Sequence, residues 1–169
     1  MDSLSAKTQL EHQGKAIGAL TEGLTQDQAR WKPGAESWSV LEVLNHLVDE
    51  EVMDFRGHLA HILHSPDDDW PEIDPQGWVT EKQYNERDLH LTRANFQKER
   101  EKSIIWLGTL ENIDWKAGVE FSWGTLTAGD MLSSWLAHDL LHLRQLVELR
   151  YALTMKACQP YGVEYAGEW

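Results

Sequence analysis

Two histidines four residues apart are the side chains in this sequence best placed to do chemistry together. His138 and His142 lie in the apolar segment 135–145, which predicts a helix packed against a neighbouring element. Residues four apart share one face of a helix, so both imidazoles can reach one metal ion. The spacing leaves two interpretations open: two corners of a metal site, or two ordinary half-buried histidines. A metal site requires a third ligand from elsewhere in the chain.

Among the other histidines, His46 is the one whose position is hardest to interpret. Its predicted helix turns by about 100° per residue, which places His46 almost opposite the centre of the apolar stripe. Periodicity alone therefore predicts an exposed side chain. His12 and His90 are isolated in the sequence, and the simplest interpretation of each is a solvated or hydrogen-bonded side chain.

A second group of histidines, His58, His61 and His64, is spaced by three. Each adjacent pair shares a helix face, but the full set sweeps around the helix at about 100° per residue. All three therefore cannot share one tetrahedral ion. The group indicates a metal-prone surface patch at most.

Helices must position these side chains, and the sequence predicts four of them, over residues 5–22, 39–64, 80–107 and 127–152. Three of their N-termini are marked by capping boxes, in which the first side chain caps early amides and the fourth reaches back: Ser39–Glu42, Thr80–Gln83 and Thr127–Asp130. Four helices with little strand predict an all-α four-helix bundle, and the absence of repeats or linkers predicts a single domain, 1–169.

Two of the predicted helices carry features that bear on packing. In the first helix, Gly14 and Gly18 either weaken the helix slightly or mark the close approach of a neighbour. The third helix is very polar, and its charges alternate in sign, which predicts an exposed, salt-bridged face. Between the third and fourth helices, residues 118–123 form a short strand-like run.

The charge balance excludes two classes of partner. Acidic residues outnumber basic ones 28 to 15, for a net charge of −13, whereas nucleic acids and anionic lipids are bound by clustered lysine and arginine. No apolar run approaches the length of about 20 residues that spans a bilayer, and the N-terminus does not resemble a secretory signal. The single cysteine, Cys158, permits no internal disulfide. We therefore expect a cytoplasmic protein without nucleic-acid or membrane partners.

Two segments of the sequence resemble motifs of the DinB / YfiT-like family. Segment 38–50 begins with Trp38-Ser39 and carries His46 about two turns later, as in the second helix of that family. The pair His138 and His142, followed closely by Gln145, resembles the second family motif. The loop 31–34, the length and the four-helix plan also fit, so the resemblance covers essentially the whole chain.

The resemblance implies an up-down-down-up bundle, a homodimer and a divalent metal held by His46, His138 and His142. Histidine-only sites suit Zn, Ni, Co, Cu and Fe. Characterised relatives include transferases and an isomerase that use low-molecular-weight thiols such as bacillithiol or mycothiol. We therefore expect a metal-dependent enzyme acting on a small molecule, first of all a thiol-dependent S-transferase. The alternatives are a metal-dependent hydrolase, a non-catalytic stress-related bundle that binds metal, and an interaction protein whose histidines are incidental.

Three neutral imidazoles leave an open coordination position, which is typical of catalytic rather than structural sites. Glu50 lies one turn after His46 and is the candidate catalytic residue, as a base, a fourth ligand or a hydrogen-bond acceptor. A solvated helix carboxylate is an equally good interpretation of Glu50. Gln145, near His142, is a candidate for orienting that ring. Cys158 has no nearby acid-base motif, so we do not expect it to be a nucleophile.

Overall fold

Helices account for most of residues 3–168, the part of the chain that the computed structural model describes. The α-helices are α1 (Ser3–Thr21), α2 (Gln26–Arg30), α3 (Val40–Asp49), α4 (Arg56–His64), α5 (Pro75–Glu81), α6 (Leu89–Gly108) and α7 (Ala128–Cys158). A π-helical turn over Glu50–Phe55 joins α3 to α4, so that residues 40–64 form one continuous second bundle helix. Two short strands, β1 (Gly118–Phe121) and β2 (Gly124–Thr127), pair as an antiparallel hairpin.

Four long helices, α1, the second bundle helix, α6 and α7, form the bundle, and two apolar clusters at its ends show their directions. One cluster joins the C-terminal halves of α1 and α7 to the N-terminal turns of α3 and α6: Ile17, Leu149, Val40 and Leu89. The other cluster joins the opposite ends of the same helices: Ala6, Ala128, Ile62 and Leu107. The first and fourth helices therefore run one way and the second and third the other. The predicted up-down-down-up bundle is confirmed.

Because the second and third bundle helices are parallel, the chain must return along the bundle between them. This crossover, residues 65–88, contains α5 and a 3₁₀ turn over Tyr84–Glu86. The predicted helix start at Thr80 is wrong. Asp74 caps α5 instead, with Pro75 in the first turn. Gln83 then adopts a left-handed φ of 51°, which ends the helical path, and α6 begins only after Asp88.

The other predicted helix boundaries agree better with the structure. The capping boxes that open α3 and α7 are both formed. Helix α7 continues to Cys158 rather than ending at residue 152, and the short α2, capped by Thr25, was not predicted. The strand-like run is β1 of the hairpin. No helix in the described part of the chain combines the length and apolar character needed to cross a membrane.

A buried ion network lies between the two apolar clusters. Arg100 on α6 is only 4% exposed. Its guanidinium donates to the Glu51 carboxylate at 2.7–3.0 Å, to the Asp139 carboxylate at 2.6 and 3.0 Å, and to the Leu10 carbonyl at 2.9 Å. These contacts join all four bundle helices. The prediction that the charged face of the third helix is exposed is therefore wrong at Arg100.

Of the two interpretations of the glycines in α1, the close approach of a neighbouring helix is the one that the structure shows at Gly14. A Cβ atom there would come within 3.0 Å of Cγ of Arg100, so a side chain would displace the arginine. At Gly18 the nearest atom, Nε2 of Gln97, would be 3.7 Å away, which is an ordinary contact. The glycine at position 14 therefore leaves room for the ion network.

Candidate metal centre

Three imidazoles from two bundle helices meet on one side of the bundle. His46 comes from α3, and His138 and His142 come from successive turns of α7. The Nε2 atom of His138 lies 3.3 Å from Nε2 of His46 and 3.1 Å from Nε2 of His142. One nitrogen from each ring lies within 4.8 Å of the other two. The structure therefore brings together the three histidines that the resemblance implied as ligands.

The spacing of these nitrogens fits a single ion. Nitrogen ligands about 2.0–2.1 Å from one ion, at angles of about 90–110°, lie about 2.9–3.4 Å apart. The two Nε2 pairs, at 3.3 and 3.1 Å, fall in this range. A neutral imidazole also has only one N–H, so facing lone pairs repel unless a proton or cation lies between them. A metal ion at their centre would satisfy all three.

The outer nitrogens of the rings differ in their partners. Nδ1 of His142 lies 2.8 Å from Oε1 of Gln145, an acceptor, so Nδ1 carries the proton and Nε2 presents its lone pair to the centre. Nδ1 of His46 is buried without a hydrogen-bond partner, as is Oε1 of Glu50. These two atoms lie 4.0 Å apart, which is too far for a hydrogen bond between them.

All three imidazoles are neutral at pH 7. Burial, together with repulsion from the charged forms of the nearby His142 and His138 rings, lowers the pKa of His46 to about 3. Burial, together with His142, lowers the pKa of His138 to about 4. The pKa of His142 is also lowered by burial, although its bond to Gln145 opposes the shift. Neutral rings are the form that binds metal.

Glu50 lies beside the histidines in an environment that keeps it protonated in the metal-free protein. It is 3% exposed, so the solvated interpretation of this side chain is wrong. Burial, with the neighbouring carboxylates Asp54 and Asp49, raises the pKa of Glu50 to about 9. Burial alone would raise the pKa of Asp54 too, but hydrogen bonds from His58 and Glu50 hold it below its ordinary value. Glu50 is thus the acid of the pair and Asp54 the anion.

His46 is buried, at 4% exposure, although periodicity predicted an exposed ring. The face of α3 opposite the core is covered by the loop 31–39, whose Trp38 ring lies 4.9 Å from His46 and edge-on to it. His138 covers it from α7. Helical periodicity locates the side that faces the bundle core, but it cannot show that a loop closes the other side.

A cavity of about 640 Å³ opens over the three histidines. Its walls come from the second bundle helix and α7, from the loop 33–38, and from the start of α5 in the crossover. Besides the histidines, the lining includes Glu36, Trp38, Glu50, Pro75, Gln76 and Glu148. Trp38 is half-buried and lies parallel to His142 at 6.3 Å between ring centroids. The centre is therefore open to a small molecule.

Within residues 3–168, the remaining histidines do not join other side chains in a second group of three possible ligands. His58 is buried, bonded to Asp54 at 2.7 Å and to the Pro71 carbonyl at 2.9 Å, and stacked on Trp70. Among the described residues, only His46, His138 and His142 form a group of three that could hold an ion. His58 therefore does not belong to the metal-prone surface patch predicted at residues 58–64, and for His61 and His64 that patch stays a prediction. His12 and His90 are exposed.

Sequence reasoning missed several residues around the centre. Asp54 was not singled out, although it lies one turn after Glu50 and one before His58, a spacing that could have indicated a relay of side chains along one helix. Pro75 and Gln76 reach the cavity through the crossover, and nothing in the sequence indicates that contact. The burial of Arg100 could have been predicted from its helix face. Phe96, Ser103 and Leu107 lie on the same face, and all three are buried.

Comparisons with known proteins agree with this fold. The sequence profile of the DinB superfamily matches residues 9–146. No protein of curated function matches the sequence significantly. Among solved structures, the chain is similar to YfiT from Bacillus subtilis, with a TM-score of 0.77 and 19% identity over 90% of this chain and 87% of that one. YfiT is described as a probable metal-dependent hydrolase with an unusual four-helix bundle topology. Since the family profile covers most of the sequence, this chain belongs to the DinB superfamily.

Proposed function

We propose that this protein is a divalent-metal-dependent hydrolase of a small molecule. The observation that carries the proposal is the meeting of three neutral imidazole nitrogens at the base of an open cavity, with a buried carboxyl group beside them. The description of the structurally similar YfiT as a probable metal-dependent hydrolase supports the same reaction class.

His46, His138 and His142 would hold the ion. When bound, a divalent ion on three neutral imidazoles supplies Lewis acidity at an open coordination position. Gln145 keeps the His142 ring in the tautomer that exposes Nε2. The Trp38 ring lies edge-on to His46 and parallel to His142, and it forms part of the cavity wall on the loop side.

Glu50 is the residue that would move a proton. Hydrolysis requires that a proton leave the attacking water and reach the leaving group, and a carboxyl group within reach of both can carry it. Glu50 lines the cavity, and its Oε1 has no hydrogen-bond partner, so this oxygen is free to accept a proton from a ligand there. The charge of a bound ion would lower the pKa of Glu50 from its metal-free value and produce the carboxylate that this step needs.

The thiol-dependent S-transferase stays a prediction of the resemblance. Glu50 is the observation that leads us to place hydrolysis first. A thiol has a pKa of about 8.5 and loses its proton on a metal without help from a base. Water is a far weaker acid, so its reaction gains more from a buried carboxyl group next to the ion.

The metal site is tested by measuring bound metal. We expect the purified protein, stripped with a chelator and then incubated with Zn²⁺ or Ni²⁺, to retain one ion per chain after gel filtration. His138→Ala should lose that stoichiometry, whereas His90→Ala, a substitution at an exposed histidine, should keep it. If His138→Ala retains a full equivalent of metal, the three-histidine site is incorrect.

The reaction is tested with two substrate panels on the same metal-loaded protein. We expect turnover of 4-nitrophenyl esters without added thiol, and a fall of about 10²–10⁴-fold in kcat for Glu50→Gln with metal still bound. Conjugation of monochlorobimane that requires a small thiol would instead identify an S-transferase. Full metal occupancy without turnover in either panel would leave a non-catalytic metal-binding bundle.

A further inference from the structure

Apart from the three histidines, every ionisable side chain that lines the cavity is a glutamate. Glu36 comes from the loop before α3, Glu148 from α7, and Glu50 from the π-helical turn. No lysine or arginine of the described residues lines the cavity. The protein therefore presents negative charge at the opening of the cavity, from Glu36 and Glu148.

The nearby basic side chains are directed elsewhere. Lys32 bonds to the Glu42 carboxylate at 2.6 Å. Arg144 lies 3.5 Å from Glu148, but its side chain is 73% exposed and does not line the cavity. Such an exposed pair neutralises Glu148 only in part. Glu36 has no ion-pair partner among the described residues.

Unpartnered polar atoms show that the base of the cavity is built to receive a ligand. Oε1 of Glu50 and Nδ1 of His46 are both buried without a hydrogen-bond partner, and both residues line the cavity. Buried polar atoms are nearly always paired, so two orphans in one cavity indicate a missing partner. The mouth of the cavity, where Glu36 and Glu148 lie, is thus the entrance to a site whose floor also carries polar atoms.

We propose that the ligand of this cavity carries an ammonium or other cationic group, which the mouth residues Glu36 and Glu148 attract. Trp38 adds an aromatic ring, to which cations are drawn by its quadrupole. The reacting group of the same ligand lies at the histidines, and this part of the inference rests on the proposed function. The substrate is therefore bipolar, with a cationic end at the mouth and a cleavable end at the ion.

The same charge pattern disfavours anionic ligands. Small thiols that carry free carboxylates would bring like charge to the mouth, which repels them and slows their association. The acidic lining therefore favours hydrolysis over transfer to a thiol that carries free carboxylates, and it favours a cationic substrate.

The proposal is tested by binding rather than by turnover. Three hydroxamates with tails of similar size, one trimethylammonium, one tert-butyl and one carboxylate, are titrated into the Zn²⁺-loaded protein by calorimetry. We expect the cationic ligand to bind about tenfold more tightly than the neutral one, and the anionic ligand to bind weakest. Raising the ionic strength from about 0.01 M to about 1 M, which shortens the Debye length from about 30 Å to about 3 Å, should reduce these differences.

Variants at the cavity mouth, each compared with a control variant, identify the residues that cause the preference for the cationic hydroxamate. Glu36→Gln and Glu148→Gln, alone and combined, should reduce the ratio of cationic to neutral affinity, and the double variant should bring it to about twofold or less. Both side chains are exposed, so the variants are expected to fold. Glu111→Gln removes an exposed carboxylate outside the cavity and should leave the ratio at its wild-type value.

The two proposals fail in different ways. Equal affinity for the three hydroxamates, or a ratio unchanged in the double variant, would overturn the cationic ligand while leaving hydrolysis intact. The expected order of affinities without cleavage of any ester would overturn hydrolysis and support the cationic ligand.

Discussion

Each histidine of the centre is oriented by a different neighbour. His142 is bonded to Gln145, His138 packs on the ring of Phe55 at 4.8 Å, and His46 meets the edge of Trp38. Of these, only the bond to Gln145 selects a tautomer. The free energy of metal binding should therefore be most sensitive, outside the ligands themselves, to residue 145.

Gln145→Ala should weaken metal binding by about 10- to 100-fold, because the His142 ring loses the acceptor that fixes its Nε2 lone pair on the ion. Competition with a chromophoric chelator measures this affinity. Gln97→Ala, at an exposed position on α6, is the matched control and should bind metal like the wild type. Equal affinity in the two variants would show that the hydrogen bond has no part in binding.

The shifted pKa values at the centre make the stability of the metal-free protein depend on pH in two directions. Unfolded histidines take up protons near pH 6.5, whereas His46 and His138 resist protonation down to about pH 3 and 4 in the fold. The unfolded chain thus binds more protons in this interval, and stability is lost as pH falls below about 6.5. Glu50 titrates at about 9 when folded and at 4.5 when unfolded, so its contribution is lost as pH rises between these values.

We expect the melting temperature of the metal-free protein to peak near neutral pH. Glu50→Gln should remove most of the decline between pH 7 and 9, because it deletes the group that must lose its buried proton there. Scanning calorimetry in chelator across this range measures the effect, with Glu111→Gln as the exposed control. An identical alkaline decline in Glu50→Gln and wild type would contradict the assignment.

The sequence predicts the ligands better than their surroundings. The spacing of His138 and His142 places both on one helix face, and this follows from helix geometry alone. His46 required the family resemblance, since its own periodicity pointed to solvent. Trp38 and Gln76 meet the site through loops, and loop paths depend on long-range packing that no local pattern encodes.

At the scale of the helices, the π-helical turn explains how two adjacent glutamates of the second bundle helix come to face different surroundings, one at the cavity and one in the core. Its wider turn, with the amide of Arg56 bonded to the Glu51 carbonyl five residues back, inserts one residue into the helical repeat. Glu50 then lines the cavity while the adjacent Glu51 enters the ion network with Arg100. Helical periodicity assumes a constant rotation of about 100° per residue, and this assumption does not hold across the π-helical turn.

Arg100→Met should destabilise the protein by about 3–5 kcal/mol, because Glu51 and Asp139 are left buried without their counter-ion. Urea denaturation of the metal-free protein measures the free energy of unfolding. Replacing Glu51 and Asp139 by leucine in the same chain should recover much of the loss, since an apolar set of similar volume needs no counter-ion.

Lys98→Met, a substitution at an exposed basic residue on the same helix, is the control and should change the free energy of unfolding by less than about 0.5 kcal/mol. A loss of that small size in Arg100→Met would show that the network adds nothing to stability.

The capping signals show where local sequence is sufficient to define a helix. Ser39 and Thr127 open helices because the residues after them continue in helical conformation for many turns. Thr80 has the same pattern but lies near the end of α5, whose start was already determined by Asp74 and Pro75. The crossover has to turn at Gln83 to reach the start of α6, and this tertiary requirement outweighs the local pattern.

For the whole molecule, the centre connects the second and fourth bundle helices, so ion binding should stabilise the entire fold. At free metal about 100 times the Kd, the gain is about 2.7 kcal/mol, or roughly 5–10 °C in melting temperature. Differential scanning fluorimetry with and without Zn²⁺ measures it. His142→Ala should show no shift, and His90→Ala should show the wild-type shift. A shift in His142→Ala equal to that of the wild type would place the ion elsewhere.

The homodimer implied by the family resemblance stays a prediction. Helix α7 exposes Leu140, Leu141 and Val147, at 52%, 56% and 38%. Sedimentation equilibrium should give twice the mass of the chain. A single-chain mass at micromolar concentration would contradict the dimer.

The crossover that returns the chain along the bundle supplies one wall of the cavity but none of the three histidines. Residues 65–77 bring Pro75 and Gln76 to the cavity, yet none of them is fully buried. The histidines, by contrast, belong to helices whose packing constrains every turn. A lineage could exchange Pro75 and Gln76 and acquire a new substrate without rebuilding the ion site, and grafting this short stretch between related chains would reproduce that history in the laboratory.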